Sequence, residues 1–553
     1  MLGEHLLLTG LPAAAAVFLA MRFGLRSVPL LLAVALATSG FLGFLSFWLY
    51  YASPTLGQSG SFFFVFGAVI LIGWCWREGV ERTVLRELAP PVVLWVLASA
   101  FVLFLGFLHG GTAEPLIAAA TRFSHQLPAD NEIPRFFADY FYVHGHHGVP
   151  PPFADWLSSD RPPLQIGYVL AQRPFGWDAA GLHYEVLGIV IQQLWILGMW
   201  ALLCAARVTP RTRGLVALAA IVSDVAIVHA FFVWPKLITA GFLLAALAMV
   251  LSGDWERWRR QPLAAILFAV LCGAAMLAHG SSVFFVLPLL VLAAWRGMPS
   301  LAWLGAAGAV GVVLLGSWAA YQHYADPPGD RLVKWQLAGS LAVDDRGAVE
   351  TIVDSYREAG LGGTLENKWG NVTQIAGVGE VEDAIGSAVD EVGAGNPGKA
   401  ITALRLPRFF DLLPFLGLLL IGPIAMLVAR LRGRRDGPDW RFAVTGLGLC
   451  VLACLFWVLL MFGGLIARTY IHQGSLAVPV LAACSCVAGA CAVDRRLGLG
   501  LVLANVTVVL LLNIPALTPP AGSSYSATAA VLAAAALAGI VWLTLRPLRD
   551  RAA

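Results

Sequence analysis

Long apolar runs recur from one end of this chain to the other. Each is about 17 to 24 residues, long enough to cross a hydrocarbon core of ~30 Å as a helix. With 59% hydrophobic and only 12% charged residues, and a mean hydropathy of +0.77, little is left over from which to build a large soluble domain. The chain therefore reads as an all-α polytopic integral membrane protein. Its net charge of +3 is small and gives no reason to expect a nucleic-acid partner. The eight cysteines all lie inside or at the ends of apolar runs, so no disulfide framework is implied. No basic stretch precedes the first apolar run, so no cleaved signal peptide is expected.

The apolar runs predict about fifteen membrane helices, with 13 to 15 plausible, near 6–21, 28–50, 60–76, 91–108, 185–206, 214–233, 237–252, 262–278, 281–295, 301–320, 409–429, 442–464, 474–492, 497–513 and 527–545. They divide the chain into four N-terminal helices (1–109), a first long loop (110–184), helices five to ten (185–320), a second long loop (321–408) and helices eleven to fifteen (409–553). Every second connection is arginine-rich. The short connections holding Arg22 and Arg26, Arg77 to Arg86, Arg207 to Arg213, Arg257 to Arg260, Arg296, Arg430 to Arg441, Arg495 and Arg496, and Arg546 to Arg551 carry 22 of the 36 basic residues. By the positive-inside rule these are cytoplasmic. The N-terminus is then outside, the C-terminus is cytoplasmic, and both long loops share the extracytoplasmic face of a cell membrane. No internal repeat is evident, which counts against the inverted-repeat transporters.

The first long loop is dense in ionisable and aromatic groups, which is where chemistry would be sited in so apolar a chain. Asp130 and Glu132 precede the aromatic run Phe136-Phe137-Ala138-Asp139-Tyr140-Phe141-Tyr142, which has the character of an interfacial helix lying along the membrane surface. A partly desolvated carboxylate above such a helix can serve as a general base toward a hydroxyl. The alternative is that Asp130 and Glu132 cap the helix. Further on, Asp160-Arg161-Pro162-Pro163-Leu164 sets an acid and a base before two prolines that impose an extended approach to the next apolar segment.

In Asp130-Asn131-Glu132, the aromatic run and Asp160-Arg161-Pro162-Pro163-Leu164, the chain resembles the GT-C glycosyltransferases. The likeness is to the family of protein mannosyltransferases and lipid A aminoarabinose transferases. There an acidic pair in the first outer loop is followed by an aromatic run and a His-Pro-Pro-Leu or Lys-Pro-Pro-Leu element. The chain departs from that pattern in placing the loop after the fourth helix instead of the first, and in having Arg161 before the prolines. The resemblance implies a GT-C-like fold and transfer of a sugar from a polyprenyl-phosphate carrier to a glycan, lipid or protein acceptor. It implies Asp130, or else Glu132, as the base, with inversion at the sugar. Asp160 and Tyr140 become candidate contacts to acceptor or sugar. A glycan polymerase or ligase of the O-antigen type and a lipid-linked glycan flippase or transporter are the competing classes.

A phosphate-bearing lipid donor calls for outer-face cations beside Arg161, and Arg468 and Lys236 are placed to serve; both can equally snorkel to lipid headgroups. Asp224 falls within an apolar stretch, where a carboxylate costs roughly 2.5–3.5 kcal/mol on insertion scales. It is read either as a site floor or metal ligand, or as a buried polar contact. His144, His146 and His147 are candidate ligands for a divalent cation, Mg or Mn in such enzymes, though they lack the fixed spacing of a zinc site. The second long loop has 13 acidic and 8 basic residues, with helices expected at 347–360 and 379–393. It reads as a lid or acceptor-side wall, with Glu366 and Trp369 its candidates for sugar contact.

Overall fold

The structure is a computed structural model that describes residues 1–123, 127–178, 180–433, 437–463, 476–514 and 525–549. All regular secondary structure among them is helical, apart from one isolated bridge between Phe153 and Trp156. Among the described residues ten helices are long and apolar enough to cross a membrane: Leu2–Arg22, Val28–Ala52, Pro54–Arg77, Arg82–His109, Ala180–Ala205, Leu301–Ala325, Leu412–Leu431, Pro438–Leu460, Arg495–Asn513 and Ala527–Arg546. An eleventh span is possible if Pro210–Ile221 and Asp224–Phe231, bent by 50° at their junction, count as one. Four shorter apolar helices, Leu237–Leu251, Pro262–Ala278, Gly280–Trp295 and Ala477–Val493, complete the set. Each of the fifteen segments expected from sequence falls on one of these helices. Two of the short ones are central: Leu237–Leu251 is buried along its whole length but for Leu251, Ala477–Val493 is buried from Ala477 to Ala490, and the 15 residues of the first rise only ~22 Å.

Local signals set where the helices begin. Proline occupies the first turn of Val28–Ala52, Pro54–Arg77, Pro210–Ile221, Pro262–Ala278 and Pro438–Leu460, where its missing N–H costs nothing. Ser53, Ser223, Ser300 and Asp494 accept side-chain caps from the backbone. Small residues then bring helices together. A Cβ on Gly167 would meet the Gly43 carbonyl oxygen at 1.8 Å, and one on Gly198 the Gly241 oxygen at 2.0 Å. Only bare backbones approach so closely, and contacts of this kind supply the dispersion energy that apolar helices cannot draw from leaving lipid.

The connections sort to two ends of the bundle. At one end Arg22 pairs with Glu78 and Arg26 with Glu81, Arg259 bonds the Met298 carbonyl, and Thr209 bonds Asp439. At the other, His5 near the N-terminus meets Gln172 at 2.8 Å and His183 at 3.0 Å, joining the first helix to the first long loop. The two long loops are tied together there: the Asp326 carboxylate accepts from Ser158 Oγ at 2.6 Å and from the Ser159 N–H at 2.9 Å. Gln322 Nε2 adds a bond to the Ser159 carbonyl at 2.9 Å.

Two local expectations are corrected. The aromatic run forms the helix Ile133–His144, but Phe137 and Phe141 are fully buried and Phe141 meets Phe47 edge-on at 5.4 Å. These two rings pack into the bundle, while Phe136, Tyr140 and Tyr142 on the same helix stay half-buried. Asp224 is not in mid-helix, because the apolar stretch breaks at Val222-Ser223 and Asp224 opens the next helix. In the second loop the two expected helices are Ala348–Ala376, kinked at Gly360 where φ is 59°, and Val378–Gly393, and the helices Arg331–Ala338 and Pro397–Phe410 flank them.

Candidate functional site

A cavity of about 200 Å3 opens where the first long loop, the turn at Trp234-Pro235-Lys236, the turn at Ala278-His279-Gly280 and the start of the second loop meet. Asp130, Trp156, Arg161, Gln165, Trp234, Lys236, His279, Trp335 and Gln336 are among its lining residues. It is smaller than the ~300–1,000 Å3 usual for a drug-sized ligand. A wider hollow of about 490 Å3 lies at the arginine-rich end, lined by Arg207, Arg296 and Arg441 and, among the described residues, by no carboxylate.

Asp130 lies in the short turn Ala129–Asn131 and its Oδ2 accepts from Arg161 Nη2 at 3.1 Å. The Arg161 guanidinium is held 4.2 Å over the Trp156 ring, and its buried Nε has no hydrogen-bond partner. Arg331 lies over the same ring at 4.4 Å and pairs with Asp155 at 2.5 Å and with Asp160 at 3.4 Å. These bonds set the start of the helix Arg331–Ala338, which carries Trp335 and Gln336 into the cavity wall.

Lys236 is 2% exposed, with its ammonium 3.6 Å above the Trp234 ring. Its position is fixed from behind, since Gln192 Oε1 accepts from the N–H groups of Leu237 and Ile238 at 3.1 Å each and so caps the helix that follows. Burial pulls the Lys236 ammonium down to about 7; Asp130 pushes it back up and Arg161 lowers it further. Burial, then the charges of Lys236 and Arg161, hold the His279 imidazole well below its usual range, so it is neutral. Its Nδ1 accepts from the Ser281 N–H at 3.4 Å, which leaves the proton on Nε2.

Gln165, at the start of the helix Leu164–Gln172, donates from Nε2 to Tyr184 Oη at 3.0 Å and to the Val233 carbonyl at 2.8 Å. The carbonyl partner fixes which way the amide faces. Its Oε1 is left buried and without a partner on a residue that lines the cavity, an acceptor suited to a ligand hydroxyl. Sequence reasoning assigned no role to Gln165, Trp156, Trp335 or Gln336. The available signal was a polar residue directly after Pro-Pro-Leu, at the start of a largely apolar helix.

The expected site residues separate into three groups. Asp130, Arg161 and Lys236 come together in the cavity. Glu132, Asp160, Tyr140, Glu366 and Trp369 do not line it. Glu132 pairs with Arg135 at 3.7 Å, and neither it nor Asp130 caps a helix through its side chain. Asp160 is 1% exposed and accepts from the Leu157 N–H at 2.9 Å and from Arg331, a clamp between the loops. Tyr140 donates to the His147 carbonyl at 3.1 Å, while Glu366 and Trp369 are exposed on Ala348–Ala376. Arg468 lies outside the described residues.

For the histidines, His146 Nδ1 is engaged by the carbonyls of Tyr51 and Ala52, and His144 rests against the Tyr140 ring. Among the described residues no three His, Cys, Asp or Glu side chains are grouped to hold a metal ion, and His144, His146 and His147 are not brought together as such a group. Asp224 takes the structural alternative, pairing with Arg408 at 2.8 Å.

Compared with known protein families, curated proteins and solved structures, the chain matches none.

Proposed function

We propose that this chain is a membrane glycosyltransferase of the GT-C type. It moves a sugar from a polyprenyl-phosphate carrier to an acceptor hydroxyl of a glycan, lipid or protein on the extracytoplasmic face of the cell membrane. The observation that carries the reading is the pairing of Asp130 with Arg161 in a cavity that also holds the buried Lys236. One carboxylate and two cations in a largely apolar hollow are the parts such a transfer needs.

In this reading the donor phosphate is bound by Arg161, through its unpartnered Nε, and by the Lys236 ammonium. Phosphate arriving on Arg161 releases the Asp130 carboxylate from its ion pair to face the acceptor. Asp130 takes the acceptor's hydroxyl proton as that oxygen bonds to the anomeric carbon, while the bond from that carbon to the phosphate oxygen breaks. Polyprenyl phosphate leaves with the bonding electrons, and Arg161 and Lys236 stabilise the charge that develops on it. Gln165 Oε1 and the tryptophan faces of the wall orient the sugar.

The test compares the purified protein with its Asp130→Asn variant for release of polyprenyl phosphate from a panel of polyprenyl-phosphate sugars. A folded variant is expected to lose about 100-fold or more of the parent's rate. An unchanged rate removes Asp130 from the chemistry. No release by the parent from any donor overturns the transferase reading and favours a ligase or a transporter.

A further inference from the structure

A second concentration of charge lies away from the cavity, where the ends of several helices meet. Asp224 Oδ2 accepts from Arg408 Nε at 2.8 Å, and its Oδ1 accepts from Asn513 Nδ2 at 2.7 Å. Both carboxylate oxygens are thus engaged, and Asp224 balances one cation. Two more are buried beside it: Arg122 is 9% exposed and Arg405 is 5% exposed. Arg122 Nη2 donates to the Asn513 carbonyl at 3.3 Å and Arg405 Nη1 to the Leu512 carbonyl at 3.4 Å, so the two guanidiniums converge on adjacent peptide units.

Capping the C-terminus of the helix Arg495–Asn513 accounts for one donor from each arginine. It does not account for the rest. A guanidinium carries five N–H donors, and Arg122 Nε and Nη1 and Arg405 Nε are buried with no partner. A helix terminus offers about half a charge, which does not balance two whole ones. Burial first, and the charge of Arg405 second, pull the Arg122 guanidinium down to about 10, and burial lowers Arg405 likewise against the opposing charge of Asp224. Residues 515–524, which follow Asn513 after Ile514, contain no Asp or Glu. Beside Arg122 the cluster reaches the surface at Tyr525, which is 54% exposed and lies tilted against His109 with ring centres 4.3 Å apart.

Buried charge persists only when it is balanced. We infer that Arg122 and Arg405, with Arg408 behind them, form a binding site for a phosphate oxyanion, separate from the cavity and independent of glycosyl transfer. Phosphate supplies the missing negative charge and enough oxygens to take the idle N–H groups in forked pairs. The source is either the headgroup of an anionic phospholipid entering beside Tyr525 or free phosphate.

Thermal unfolding of the full-length protein distinguishes these. It would be followed in nanodiscs of phosphatidylcholine with and without phosphatidylglycerol, and in detergent with inorganic phosphate or chloride at equal ionic strength. The parent is expected to melt higher with phosphatidylglycerol, with phosphate, or with both. Response to the lipid alone names the headgroup, and response to both makes phosphate sufficient. The Arg122→Gln/Arg405→Gln double variant should melt higher than the parent without anion, because two unbalanced charges are gone, and should not respond to either probe. Arg122→Lys keeps the charge without the fork and should bind the probe about ten-fold more weakly; it decides the matter if the double variant does not fold. The same comparisons made in an Arg161→Gln background, which removes the phosphate-binding arginine proposed for the cavity, should give the same pattern. An unresponsive parent, or a response that survives in the double variant or in Arg122→Lys at full strength, overturns the inference.

Discussion

Lys236 shows how much one buried ammonium can decide. Its pKa falls from 10.5 in the free side chain to about 7 in the fold, chiefly through burial. Between those pH values the unfolded chain holds a proton that the folded chain has lost, so stability rises with pH across this window and the penalty is complete below it. Binding of a phosphodiester donor runs the other way. The donor keeps its single charge throughout, while the ammonium that pairs with it disappears as pH rises through about 7. The parent should bind a polyprenyl-phosphate sugar several-fold more weakly at about pH 9 than at about pH 6. In Lys236→Met, affinity should be lower and nearly flat with pH, and melting at neutral pH should move upward. A pH profile of binding that is the same in both proteins would remove Lys236 from the donor site.

At the scale of elements, the break at Val222-Ser223 turns a run of apolar residues into two helices. The Ser223 hydroxyl accepts from the Ala226 N–H at 3.2 Å, which starts the second helix and sets Asp224 in its first turn, facing Arg408 and Asn513. Asp224→Asn removes the carboxylate that pairs with Arg408 and should destabilise the protein by about 3–5 kcal/mol, read from thermal unfolding in nanodiscs. Adding Arg408→Gln should recover part of the loss, since no unbalanced charge then remains at that pair. A double variant as unstable as the sum of the two single changes would mean that the residues act separately. Periodicity does not locate such a break, because a serine cap inside an apolar run looks the same as a serine packed in a continuous helix. The interfacial reading of Ile133–His144 misled for a related reason: an aromatic face suits a bundle core as well as a membrane surface, and only its neighbours, Phe47 among them, distinguish the two.

For the molecule as a whole, the separation of arginine-rich connections from the long loops bears on orientation. Single cysteines placed at Asp254 and at Gly395 in a background without the eight native cysteines test it with a membrane-impermeant maleimide applied to intact cells. The proposed orientation has Gly395→Cys labelled from outside and Asp254→Cys labelled only after lysis. The reverse pattern would place the cavity on the cytoplasmic face and exclude the proposed donor geometry. The ten spanning helices and four shorter apolar ones make the same point about depth: a helix surrounded by others need not be long enough to cross by itself.

Run length and the placement of arginine are local properties. They suffice for the apolar helices, the two long loops and the gathering of arginine-rich connections at one end, because lipid selects on hydrophobicity and flanking charge and on little else. Which carboxylate enters the cavity is a different matter. Asp130 and Glu132 are two residues apart and chemically alike, and a short helical turn points one at Arg161 and leaves the other to Arg135. The convergence of Asp130, Arg161, Lys236, His279 and Gln336 from distant parts of the chain depends on close contacts such as Gly43 with Gly167, and on the Asp326 and Arg331 bonds that join the loops. Those are distances between segments far apart in sequence, and only the packed tertiary structure sets them.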